Sequence, residues 1–245
     1  FFEYSDGNTY ASHFFAPTKE EGVTSNPTNL LGTMYLGGFV VPFIVTCLLT
    51  VLTLTMERFI ALGKAAGKGN QTKFVAEVKK ALNEKNVAKA EELCKKQKGT
   101  VGAIVYATLA KYKEMEANTI LPKEQKLAVI QEQLAEATAL EMPSLQQNLP
   151  ILATMTTLGT LLGLFGTVVG MIKSFQALGN AGAPDSAELS KGISEALVNT
   201  ASGILTAVCA LIAYNFFTNK IDNLTYAVDE LGFAIVNAYA ANHAN

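Results

Sequence analysis

Charge is scarce in this 245-residue chain, and where it is missing it is missing for long stretches. Only 16% of the residues are Asp, Glu, Lys or Arg against 49% hydrophobic, a balance too apolar for an average soluble domain. Three windows carry no charge at all: Gly22 to Met56, Met142 to Ile172, and Ala196 to Asn219. Each exceeds the roughly 20 residues that a helix needs to cross a hydrocarbon core about 30 Å thick. They predict three transmembrane helices, at 30–57, 150–175 and 192–218. Histidine is almost absent as well, with His13 near one end and His243 near the other. No imidazole can therefore sit beside a nucleophile or a metal inside the folded body, which argues against an enzyme. The three cysteines, Cys47, Cys94 and Cys209, fall in a span, in the following loop and in a span, and suggest neither a disulfide nor a zinc site. No cofactor is expected.

Basic residues are missing from most of the chain too: 15 of the 19 Lys and Arg lie between Arg58 and Lys126. Basic loops stay on the cytoplasmic side, so the segment after the first span is cytoplasmic. The topology that follows is an outer N-terminal arm (1–29), a cytoplasmic region (58–149), a short outer loop (176–191) and a cytoplasmic C-terminal tail (219–245). Ten glutamates between Glu77 and Glu141 nearly balance the basic block, which excludes a nucleic-acid role.

What is there, in the cytoplasmic region, reads as polar helices broken at "GKGNQ", "NEKN", "KKQKGT" and "ANTILP". Asn86 is placed to cap a helix. Val101, Ile104, Val105, Leu109 and Tyr112 form one apolar face, and Leu127, Ile130, Leu134, Ala137 and Leu140 another. The fold class is all-α: a polytopic membrane protein with three spans and a large helical cytoplasmic extension.

The second span is unusual in its small and hydroxylated residues. At 100° per residue, Thr156, Thr160, Gly163, Thr167, Gly170 and Ser174 fall within about 40° of one line, with Leu161, Phe165, Val168, Val169 and Ile172 opposite. The glycines of "LGTLLGLFGTVVG" do not make a phosphate loop, since no strand precedes them and no Lys-Ser/Thr pair follows. In the third span Glu195, Asn199, Ser202 and Thr206 share a second stripe. Two explanations stand: close helix packing through small residues, or two polar walls around a passage or a foreign helix.

The segments "LGLFGTVVGMIKSF" (162–175) and "GISEALVNTASGILTAVCALIAYNFF" (192–217) resemble the two signature helices of the ExbB, TolQ and MotA proton-channel family, with ExbB the nearest of the three. "MERFIAL" (56–62) is similar to the family's exit from its first span. The resemblance implies a pentameric ring in the bacterial inner membrane, with the N-terminus periplasmic. It also implies a single-span partner of the ExbD, TolR or MotB type that brings a membrane Asp into the central pore, with TonB beyond it. Proton flow would then energise outer-membrane transport. On this mapping Thr167, Thr200, Glu195 and Asn199 belong to the ion pathway. Thr156, Thr160, Gly163, Gly170, Ser174, Ser202 and Thr206 would line the pore or touch the partner helix. Thr200 lies about 140° from Glu195 on the helix wheel, pointing it toward the second span of a neighbouring subunit. Asn199 stands where proton-driven members carry a small apolar residue, so the ion, H+ or Na+, stays open. The alternatives are a sodium-driven, motility or Tol-type member, or a passive scaffold ring.

Overall fold

The structure is a computed structural model that describes residues 38–180 and 186–243. The outer arm at 1–29, the expected first residues of the first span and the middle of the outer loop lie outside the described residues. Every regular element among the described residues is helical. A 3-10 turn, Gly38–Val40, leads into α1 (Val41–Ala65); α2 (Gln71–Asn83), α3 (Val87–Gln97), α4 (Gly99–Ala117) and α5 (Lys123–Gln146) follow. The long α6 (Leu149–Asn180) and α7 (Ser186–Asn242) complete the chain. Three helical stretches are long and apolar enough to cross a membrane.

The chain divides into two compact units. The first takes in the described residues up to Leu52 together with Leu152–Ile212, and holds the N-terminal half of α1, most of α6 and the N-terminal half of α7. Its large apolar side chains face outward: Leu161, Phe165, Val168 and Ile172 on α6, and Leu197, Ile204, Leu205 and Val208 on α7 are exposed. Where α6 and α7 face one another the inside is made of small residues, since Gly159, Gly163, Gly166, Gly170, Gly192, Ala196, Gly203 and Ala210 are buried, while Val40, Val41, Ile44 and Leu152 are buried elsewhere in the unit. Lipid is as apolar as Leu, so helices there associate through close van der Waals approach rather than by hiding Leu from water.

The second unit, Thr53–Ile151 with Ala213–Asn245, has the opposite arrangement, with large apolar residues inside. Asn70 and Asn86 cap α2 and α3, the Asn86 side chain accepting from Lys89 N at 3.0 Å as its position in the sequence predicts. The face expected on α4, Val101 to Tyr112, is buried throughout. That on α5 is less regular: Ile130 and Ala137 are buried, but Leu140 is 74% exposed. Pro143 lies inside α5 and Pro150 at the start of α6, and the two helices are parted only by Gln147 and Asn148, the latter with φ 64°. The tail is no loose end, for α7 runs on to Asn242 and buries Ile221, Leu224, Val228, Leu231, Ile235 and Tyr239 at spacings of three and four. Tyr239 donates to Met115 O at 3.1 Å and stands edge-on to Tyr112, fixing the end of α7 against α4.

Cys94 is part of this core, and burial, with the Glu91 charge adding to it, pushes its thiol up to about 12. Near neutral pH it is a buried thiol with essentially no thiolate. In a Cys47→Ser/Cys209→Ser background, maleimide should leave native Cys94 unmodified and label it fully in denaturant, as read by intact-mass measurement. Rapid labelling of the native protein would show that α3 opens far more often than this packing allows.

Candidate functional site

The glycines bring the α6 and α7 backbones into direct contact. A Cβ on Gly163 would lie 3.2 Å from Asn199 O and from Gly203 Cα, and one on Gly170 would lie 2.8 Å from Gly192 O. Gly166 makes room for Asn199, whose side chain would overlap any Cβ at that position. Gly163, Gly166 and Gly170 are thus the slot into which this part of α7 fits.

Close approach brings hydroxyls together. Thr167 and Thr200 share a short hydrogen bond. Thr167 also donates to Gly163 O at 3.1 Å, and Thr200 reaches the same carbonyl at 3.4 Å. Each side chain is partly exposed, and each hydroxyl can both donate and accept. Wheel geometry pointed Thr200 at the second span of a neighbouring subunit; it meets the second span of its own chain instead. Its 140° offset from Glu195 is the angle that turns it onto α6 once the glycines draw the two helices together.

Glu195 is buried, its side chain 8% exposed, and its Oε1 accepts from Lys173 Nζ at 2.6 Å. The Lys173 side chain remains 46% exposed, and its ammonium lies 6.0 Å from the centre of the Phe39 ring. Gly38, at φ 73°, closes the other side, where a Cβ would fall on Glu195 Oε1. Glycine is needed there both for backbone conformation and for space. Sequence reasoning missed Lys173 as the partner of Glu195. The signal was present: Lys173 ends one charge-free window and Glu195 borders the next, so two antiparallel spans set them at the same depth.

The remaining stripe residues divide by exposure. Asn199 and Thr206 have no exposed surface, and Ser174 is 1% exposed, donating to Gly170 O at 3.1 Å and Leu189 O at 3.3 Å. Gly163 and Gly170 are buried with them, whereas Thr160 is exposed and Thr156 and Ser202 are half-buried. Thr156, Thr160, Ser202 and Thr206 bond back to carbonyls of their own helices, which satisfies each hydroxyl without a partner chain. Along α7 the five residues from Glu195 to Thr200 rise ~7.5 Å. That exceeds one hydrogen bond, but two or three waters or a visiting carboxylate would bridge it. Among the described residues no group of His, Cys, Asp and Glu is placed to hold a metal ion.

Comparison with known proteins fits this geometry. The model of the MotA/TolQ/ExbB proton channel family matches residues 96–230, which include both helices of the site. The Tol-Pal system protein TolQ of Pseudomonas aeruginosa is 40% identical over 88 residues, 36% of this chain and 38% of that protein. The biopolymer transport protein ExbB of Pseudomonas putida is 30% identical over 149 residues, 60% of this chain and 43% of that protein. ExbB of Neisseria gonorrhoeae is 31% identical over 123 residues, 49% of this chain and 54% of its own length. The chain therefore spans about half the length, or less, of the curated relatives it matches. Because the family match covers more than half of the chain and takes in the helices that carry the hydroxyl pair and Glu195, the chain belongs to the MotA/TolQ/ExbB proton channel family.

Proposed function

We propose that this chain is a pentameric, stator-like ring subunit of the bacterial inner membrane, with its N-terminus periplasmic and its C-terminus cytoplasmic. Together with an ExbD-type single-span partner carrying a membrane Asp, it couples the proton motive force to outer-membrane transport of the TonB type. The observation that carries the reading is the Thr167–Thr200 hydroxyl pair, held open to one side and set about a turn and a half from the buried Glu195 carboxylate. The exposed Thr160 and the partly exposed Thr156, Thr167, Thr200 and Ser202 offer oxygens to the partner helix and its Asp. Gly163, Gly170, Ser174, Asn199 and Thr206 serve the route from behind by holding α6 and α7 in register. A proton crossing 100 mV releases about 2.3 kcal/mol, so a few per cycle suffice to drive a bistable movement. A second reading, the Tol type, is favoured by the TolQ match at 40% identity and differs in the client rather than in the site.

Reconstitution with an Asp-bearing single-span partner in vesicles carrying a pH-sensitive dye tests this. Proton flux should require both proteins and fall by about a hundredfold or more in Glu195→Ala. The ring should stay assembled, as read by native mass spectrometry. Flux unchanged in Glu195→Ala refutes the assignment, and a ring with no affinity for the partner helix would make it a passive scaffold.

A further inference from the structure

We infer that Lys173 determines the ion selectivity of this route: its ammonium occupies the place beside Glu195 that a sodium ion would need, leaving the carboxylate to protons. The inference rests on the ion-route reading above and adds to it the residue that keeps sodium out of a route for protons.

The pair supplies the carboxylate with a cation tethered to the chain itself. Glu195 is buried, Lys173 Nζ stands 2.6 Å from its Oε1, and the Gly38 backbone covers the carboxylate so closely that not even a methyl group would fit. The Phe39 ring, 6.0 Å away, offers its face to the same ammonium. Lys191, one turn before Glu195 on α7, is exposed; the carboxylate takes its cation from the facing helix instead. A hard metal ion needs several oxygen ligands at once. At Glu195 it would have to expel a tethered ammonium and displace Gly38. A proton needs no such space, since it passes by exchange along hydrogen bonds, and the Thr167–Thr200 pair consists of groups that both donate and accept. Asn199, the residue that suggested sodium, lies wholly inside the contact with Gly166.

Lys173→Met keeps an unbranched side chain one atom shorter and removes its charge, while Lys173→Gln serves should the first variant fail to fold. The purified protein is melted in NaCl and in KCl at equal ionic strength. Wild type and Lys173→Arg should melt at the same temperature in both salts. The neutral variants should gain about 2–4 °C in sodium, because an ion that binds only the folded state stabilises it. That gain should vanish in Lys173→Met/Glu195→Gln. Neutral variants as indifferent to sodium as wild type, or a wild type already stabilised by it, would overturn the inference. In vesicles with the Asp-bearing partner, Lys173→Met should lower discrimination between protons and sodium by about tenfold or more, a difference of one unit in log selectivity. Flux that is present but indifferent to Lys173 defeats the selectivity role alone. A sodium response in the melt with no partner-dependent flux in wild type defeats the ion-route reading, and the selectivity role with it.

Discussion

Gly203→Val should cost the membrane helix pair about 3 kcal/mol or more and bring down its unfolding midpoint in detergent, with loss of assembled protein as the visible outcome. A Cβ at this position would stand 2.6 Å from Gly159 O, 2.7 Å from Gly163 Cα and 2.9 Å from Gly163 N. All three are backbone atoms of the facing helix and cannot rotate aside, so α6 and α7 must separate. Separation removes van der Waals contact along the whole pair, which in lipid is the main force between helices. The Thr167–Thr200 bond would be lost with it. Gly63→Ala and Gly179→Ala are the matched controls, because a Cβ at either meets nothing within 4 Å and Ala is the better helix former. Equal melts for Gly203→Val and the controls would show that the glycines do not set this interface.

The same glycines show how far the sequence could be read. Their period placed them on one side of the second span, and the wheel left open whether that side packs or lines a passage. Both descriptions hold, for different residues. Gly163 and Gly170 are buried against α7, whereas Thr160, 60° from Gly163 on the wheel, is exposed. A periodic stripe names a face; which edge of that face the partner covers depends on the crossing of two helices, and one sequence does not state it. Charge-free windows announced the spans because the cost of a charge in lipid is a local property. The ion pair of Lys173 and Glu195 joins residues 22 apart in sequence and depends on how two helices align. The long end of α7 was legible and overlooked: Ile221, Leu224, Val228, Leu231 and Ile235 keep helical spacing beyond the third span. Leu140 fits the periodicity of α5 and is nonetheless 74% exposed, while Ile130 and Ala137 on the same face are buried.

The second large effect is expected at Arg58, the chain's only arginine, which is 3% exposed. Its Nε and Nη2 donate to the Glu57 carboxylate at 2.8 and 2.5 Å, and its Nη1 reaches Ser144 O at 3.4 Å and Leu145 O at 3.5 Å, near the C-terminus of α5. Asn148, with its left-handed backbone, donates to the same carboxylate at 3.1 Å. Arg58 thus ties α1 to the C-terminal end of α5, and its partner Glu57 ties α1 to Asn148 in the break before α6. Arg58→Ala should destabilise by about 2–4 kcal/mol, below the full cost of splitting a buried pair because Glu57 keeps contact with water. Arg58→Lys should recover little of this, since an ammonium cannot serve a carboxylate with two parallel bonds and two carbonyls at once. Chemical denaturation of the three proteins decides the point, and full rescue by Lys would reduce Arg58 to a simple charge.

Two hydroxyls that act as a unit in ion transfer leave a signature in a double-mutant cycle on partner-dependent proton flux. Thr167→Val and Thr200→Val should each lower flux about tenfold or more, and the double variant should be no worse than the poorer single one, because either change breaks the same relay. Losses that simply multiply in the double variant, or flux untouched by both substitutions, would contradict the account.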